Sequence, residues 1–221
     1  MTASPPLYNF ADHTLGKSLR TFWPLTVTGL ENIPSDTGAI LCSNHLTVAD
    51  QLFIGITARR HVTFWAKAEY FSAPGLRGWL NRTVVNGMGS IPVERAGGRA
   101  VLAAFDAAVP ILRGGGLVAV FPEGTRSPDG RLYRGRTGAV RLAAQAGVPI
   151  VPVGITGTDR IRPRGSRFAR PHPISLSFAP PMPVKVESPA DARVLTDELL
   201  SVIQSLTGQE YVGEYAPPRK R

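Results

Sequence analysis

A single cysteine, Cys42, rules out an internal disulfide and leaves no paired thiols for a zinc ribbon. Acidic side chains are also scarce, with 16 Asp and Glu against 25 Lys and Arg, giving a net charge of +9. Such an imbalance favours an anionic partner: a phospholipid surface, a phosphorylated substrate or nucleic acid. Aromatic residues make up only 8% of the chain, and just one, Phe168, falls within the arginine-rich stretch Arg160, Arg162, Arg164, Arg167, Arg170. Single-strand nucleic-acid binders set stacking platforms beside their charge, so no nucleic-acid partner is expected. No apolar run reaches the ~18 residues of a transmembrane helix, and the N-terminus lacks the charged-then-apolar order of a secretory signal. A cytoplasmic protein, peripheral at the inner face of the cell membrane, is the expectation.

Familiar catalytic signatures are missing as well. There is no Gly-x-Ser-x-Gly elbow, no Walker lysine motif and no His-Glu-x-x-His, and the four histidines are scattered, so no metal site is expected. Gly114, Gly116 and Ala119 match dinucleotide-fingerprint spacing, but they precede a strand that the fingerprint must follow. Cys42 reads as a small buried strand residue rather than an acyl carrier.

The sequence does carry four punctuated blocks. Ser43 to Asp50 (Ser-Asn-His-Leu-Thr-Val-Ala-Asp) places His45 five positions before Asp50. Gly38 to Ser43 reads as a buried strand and Thr47 opens a helical segment, so His45 falls in a strand-to-helix turn with Asp50 within reach. An Asp bonded to one imidazole nitrogen fixes the tautomer and leaves the other nitrogen as a base. The same residues equally fit a capping box in which Asp50 only caps the helix through Thr47 and His45 only bonds backbone. The remaining blocks are Gly89 to Arg95, Phe121 to Arg126 (Phe-Pro-Glu-Gly-Thr-Arg) and Val148 to Val153.

Together, in this order and spacing, the blocks resemble the glycerolipid acyltransferases typified by bacterial 1-acyl-glycerol-3-phosphate (lysophosphatidate) acyltransferase. The likeness covers His45 to Val153. Pro122 to Arg126 matches the family's third block letter for letter, while Thr47 stands where the family often has Ser and Pro92 interrupts a usually more apolar second block. The resemblance implies His45 as general base and Asp50 as its partner, with no covalent acyl-enzyme and with the oxyanion held by free amides of the helix N-terminus beside His45. It also implies a phosphate-binding set of Arg95, Glu123, Gly124, Thr125 and Arg126, joined by Lys67, which is similar to a lysine the family often carries there. Glu123 would orient an arginine or accept a substrate hydroxyl. The partners implied are a lyso-phospholipid acceptor, acyl-CoA or acyl carrier protein as donor, and an anionic membrane surface, with no cofactor. Acyl transfer to another lyso-lipid or an amine-bearing acceptor, and a noncatalytic anionic-membrane or nucleic-acid binder, stay open as alternatives.

Periodicity predicts strands at 25–28, 39–42, 62–66, 91–94, 117–121, 150–155 and 174–178, and helices at 47–59, 77–84, 99–112, 136–146 and 189–206. The last helix has Ser188 as N-cap, Pro189 in its first turn, Leu195, Leu199, Val202 and Leu206 as its stripe, and Gly208 as terminator. The pattern describes an α/β fold: a single layered domain over residues 24–208, with a mixed, largely parallel sheet covered by helices. Residues 1–23 read as an amphipathic segment and candidate membrane contact, with Leu15, Leu19, Phe22 and Trp23 at helical spacing. Residues 209–221 read as a basic, disordered tail.

Overall fold

Five consecutive apolar or small residues, Ala39–Ser43, form strand β2 and are buried throughout, as the centre of a sheet covered on both faces requires. The computed structural model describes residues 22–72, 74–76, 78–79, 82–83, 90–93, 98–162 and 168–217; at residues 66, 67, 69, 70, 92, 93 and 98–102 it describes the backbone alone. The remaining strands are β1 (Leu25–Thr28), β3 (Val62–Lys67), β4 (Ile91–Val93), β5 (Leu117–Val120), β6 (Leu132–Tyr133), β7 (Ile150–Thr156), β8 (Ile174–Phe178) and β9 (Tyr211–Val212). The helices are α1 (Ala49–Thr57), α2 (Glu69–Ser72), α3 (Gly98–Arg113), α4 (Gly138–Ala146), α5 (Thr158–Ile161) and α6 (Pro189–Thr207).

Among the described residues seven strands form one sheet in the order β1-β8-β7-β2-β5-β3-β4. Its neighbours run parallel except β7 and β8. Position in the sheet shows in the sequence. Central β2 and β5 are wholly buried, whereas edge strand β1 alternates and exposes one face. Pro92 lies in β4, at the other edge, where a missing amide costs least.

Alternation along β2 divides the core in two. Ile40 and Cys42 point with Val118 and Val120 toward α3, α4 and α6. Ala39 and Leu41 face the opposite way with Ala119, Val151 and Val153, toward Phe53, Ile54 and Ile56 of α1. Helix α6 has the expected capping box: the Asp191 amide donates to Ser188 Oγ (3.2 Å) and the Ser188 amide to Asp191 Oδ2 (2.7 Å). Its buried face is rotated from the expected stripe and runs through Ala192, Thr196, Leu199, Leu200 and Ile203. The helix end comes so close to β7 that a Cβ on Gly154 would lie 2.5 Å from Leu206 Cβ, which only glycine permits.

Several expectations need correction. Residues 209–217 of the supposed disordered tail are ordered, because β9 pairs in parallel with β6 and so satisfies its backbone. Strands β6 and β9 are too short for periodicity to reveal, as are α2 and α5. Of the amphipathic segment, residues 1–21 lie outside the described residues; Trp23 is pinned by a 2.8 Å bond from its Nε1 to the Arg170 carbonyl. In the expected helix 77–84, Gly78, Trp79, Arg82 and Thr83 are helical and the rest lies outside the described residues, as do Arg164, Arg167 and the tail's 218–221.

Candidate active site

Three adjacent parallel strands, β7, β2 and β5, deliver the site at their C-terminal ends, where open parallel sheets place their ligands. β2 leads to His45, β5 to Phe121 and the third block, and β7 to Thr158. Residues remote in sequence therefore meet because the strands that carry them are in register, with Cys42 beside both Val120 and Pro152.

Asp50 organises the first turn. Its Oδ2 accepts from His45 Nδ1 (2.8 Å), the Leu46 amide (2.7 Å) and the Thr47 amide (2.8 Å). Its Oδ1 accepts from the hydroxyls of Thr158 (2.6 Å) and Thr47 (3.3 Å). The carboxylate is fully buried, and these donors offset the cost of taking it out of water. A carboxylate surrounded by donors acts as acceptor, so Nδ1 carries the imidazole proton and Nε2 keeps its lone pair. His45 also stacks on Phe121, with ring centroids 3.8 Å apart and planes 15° from parallel.

The choice between helix cap and histidine partner dissolves in this geometry, since one carboxylate has lone pairs enough for both. Helix α1 starts at Ala49 rather than Thr47, and the Thr47 hydroxyl accepts the Ala49 amide at 3.1 Å. The amides of Leu46, Thr47 and Ala49 are thus engaged within the turn, so the expected oxyanion donors are not these three.

Glu123 departs from its expected place. Its carboxyl is buried, at 2% exposure, rather than turned to a substrate. Oε1 accepts the His45 amide and Oε2 the Tyr133 amide, each at 3.0 Å, so Glu123 ties the two turns together. Burial pushes its pKa up to about 7, against the opposing pull of the Tyr133 and His45 amides. Gly124 beside it is exposed and adopts φ +74, a left-handed turn that glycine enters without strain. Thr125 and Arg126 are half-buried, and the Ser127 amide donates to the His45 carbonyl at 2.7 Å.

Lys67 ends β3 in register with Val93 of β4, the edge strand of the second block, with β3 lying between it and site-bearing β5; the Lys67 side chain, and the whole of Arg95, lie outside the described residues. Cys42 and Ser43, which shortly precede His45, are buried, and burial pushes the Cys42 thiol pKa well above its ordinary value.

Sequence reasoning missed three contributors. Asn44 is fully buried and extends the β2 ladder with its side chain: Oδ1 accepts the Ile155 amide and Nδ2 donates to the Ile155 carbonyl, both at 2.9 Å. Nδ2 also donates to Gln209 Oε1 (2.9 Å), and Gln209 Nε2 donates to the Gly130 carbonyl (2.6 Å). Thr158, buried at 1% exposure, is the third. Adjacency to His45 was a signal for Asn44; Gln209 and Thr158 lie too far along the chain to leave one.

A buried acid fixing a histidine at the C-terminal rim of a mostly parallel α/β sheet is the geometry that a general base requires. The comparisons narrow this to one family. The chain belongs to the acyltransferase family, whose model matches residues 24–156. It is 36% identical over 150 residues, 67% of its length, to a chloroplastic 1-acyl-sn-glycerol-3-phosphate acyltransferase of Arabidopsis thaliana, covering 40% of that protein. It is 31% identical over 135 residues, 61% of its length, to the 1-acyl-sn-glycerol-3-phosphate acyltransferase of Borreliella burgdorferi, covering 52% of that protein. The chain therefore spans about half the length of the curated relatives it matches. The crystal structure of the 1-acyl-sn-glycerophosphate acyltransferase PlsC from Thermotoga maritima is similar, with a TM-score of 0.71 and 29% identity over 90% of this chain and 79% of that one.

Proposed function

We propose that the protein transfers a fatty acyl chain from an acyl thioester to the free hydroxyl of lysophosphatidate, forming phosphatidate. The observation that carries this reading is the 2.8 Å contact between His45 Nδ1 and the buried Asp50 carboxylate in a family of acyltransferases. His45 Nε2 takes the proton of the acceptor hydroxyl as its oxygen attacks the thioester carbonyl carbon. The tetrahedral intermediate then collapses, the carbon–sulfur bond breaks, and the imidazolium returns the proton to the leaving thiolate. Asp50 stabilises the imidazolium and holds the ring's orientation throughout. A thioester is activated enough that positioning and deprotonating the alcohol are the main tasks.

Arg126, Arg95 and Lys67, with the turn at Gly124 and Thr125, are the proposed phosphate ligands, since a guanidinium fork matches phosphate geometry. Glu123 serves as the strut between turns. Acyl-CoA or acyl carrier protein supplies the acyl group, and no cofactor enters these steps. Among the described residues no helix is long and apolar enough to cross a membrane, and the net charge of +9 supports peripheral attachment to an anionic membrane at the cytoplasmic face. The test is acyl transfer by purified protein from acyl-CoA and from acyl carrier protein to a panel of lyso-lipids. Preferred use of lysophosphatidate is the expected result; transfer only to unphosphorylated or amine-bearing acceptors would overturn the reading.

A further inference from the structure

Two arginines in the loop after the third block carry charge that the mechanism above does not use. Arg134 and Arg136 each set a guanidinium over the ring of Tyr215, 5.5 and 5.1 Å from its centroid. Among the described residues no carboxylate pairs with either, whereas neighbouring Arg131 meets Asp129 at 2.7 Å and Arg193 meets Asp197 at 2.6 Å. Arg136 is exposed, and its side chain runs beside Gly124: a Cβ built there would lie 3.2 Å from Arg136 Nε and 3.3 Å from its Cδ. Its backbone is fixed by a 2.7 Å bond from its amide to the Pro122 carbonyl. The side chain is therefore anchored at the Pro-Glu-Gly-Thr-Arg turn and steadied by the C-terminal segment. Two like charges gathered on one ring repel each other; the ring's negative face offsets part of this, and a dianion between them would offset the rest.

We propose that Arg136, with Arg134 beside it, is a further ligand for the acceptor's phosphate, and that Tyr215 is the positioning residue that presents it. The proposal rests on the phosphate-directed reading of the site. A phosphate reaching these arginines belongs either to the acceptor headgroup or to a nucleotide-bearing donor. The place of Arg136 beside Gly124, within the block that carries Arg126, favours the acceptor.

The test uses the full chain with lysophosphatidate and monoacylglycerol as acceptors, and with acyl-CoA and acyl-pantetheine, which lacks the nucleotide phosphates, as donors. Arg136→Gln is expected to lower kcat/KM for lysophosphatidate about tenfold, mostly through KM, the loss of one charge-assisted contact at an exposed site. Turnover of monoacylglycerol and the ratio between the two donors are expected to hold. Tyr215→Leu is expected to reproduce roughly a threefold part of that loss with the same acceptor selectivity, and Tyr215→Phe, which keeps the ring, to restore it. Equal loss with both acceptors, no loss, or a loss seen only with acyl-CoA would overturn the proposal. Calorimetric binding of glycerol 3-phosphate to wild type and Arg136→Gln separates this proposal from the functional reading. A chain inactive toward every acceptor defeats that reading, while the proposed ligand still stands if Arg136→Gln weakens binding about tenfold and falls if affinity is unchanged.

Discussion

In the turn after β2, the acceptors that fix the backbone are oxygens of two buried carboxylates, Asp50 at 0% exposure and Glu123 at 2%. In the loop that follows the third block, Leu132 and Tyr133 are buried and the Tyr133 amide shares Glu123, but the charges lie outside: an exposed ion pair from Arg131 to Asp129, and a tyrosine under two arginines. A base must sit within a fraction of an ångström of its proton, and buried charge-assisted bonds supply that stiffness. A phosphate gripped by arginines tolerates more movement, because a point-like attraction between charges falls off gradually with distance. On the proposed reading, rigidity is thus concentrated where the chemistry is, and exposed charge where recognition is.

The sharpest way to break this division is His45→Ala. Loss of a positioned base is expected to lower the transfer rate about 10² to 10⁴-fold, while thermal denaturation stays close to wild type, because the carboxylate of Asp50 keeps its other donors. Retention of half the wild-type turnover would remove His45 from the chemistry. Arg126→Ala is expected to act on recognition instead, lowering kcat/KM for lysophosphatidate about ten- to a hundredfold and leaving a phosphate-free acceptor no worse. Equal losses on both acceptors would make Arg126 structural.

Glu123→Gln tests the strut. A carboxamide offers one acceptor and turns its amino group toward the second amide, so a loss of about 1–3 kcal/mol is expected in denaturant unfolding. The pH dependence has a definite sign. With its pKa raised from 4.5 to about 7 in the fold, Glu123 binds more protons folded than unfolded between those values, so it makes stability fall as pH rises through that window. The slope is expected to level off above about pH 7 and to be smaller in Glu123→Gln; an unchanged slope would assign it to other groups. The smallest effect is expected from Gln209→Ala, about 1 kcal/mol for bonds at a partly exposed site, with a mild loss of turnover as Asn44 and Gly130 lose their bridge. A rate loss as large as that of His45→Ala would mean that the tail does more than hold the loop.

Much of this was legible before any fold was known. The capping box of α6, with Ser188, Pro189 and Gly208, is a local agreement between side chains a few residues apart, and helix, cap and terminator stand where the sequence indicated. Strands β2, β5 and β7 announced themselves as short apolar runs because a central parallel strand is buried on both faces. By contrast Thr158 lies 108 residues from Asp50 and Gln209 lies 165 from Asn44, and no periodicity links such pairs. The tail misled for the same reason: its Pro and Arg residues describe a solvated end, yet Tyr211 and Val212 find a partner strand in Leu132 and Tyr133.

The sequence by itself determined the longer elements, the order of the four blocks and the five-residue interval that lets Asp50 reach back to His45, since each depends on residues near one another along the chain. Only the tertiary structure decided that Glu123 would face two backbone amides instead of a substrate, that Thr158 would complete the acceptance around Asp50, and that the C-terminal segment would hold Arg134 and Arg136. A side chain's partner depends on which strand ends lie side by side, and that is set by the register of β7, β2 and β5 across the sheet.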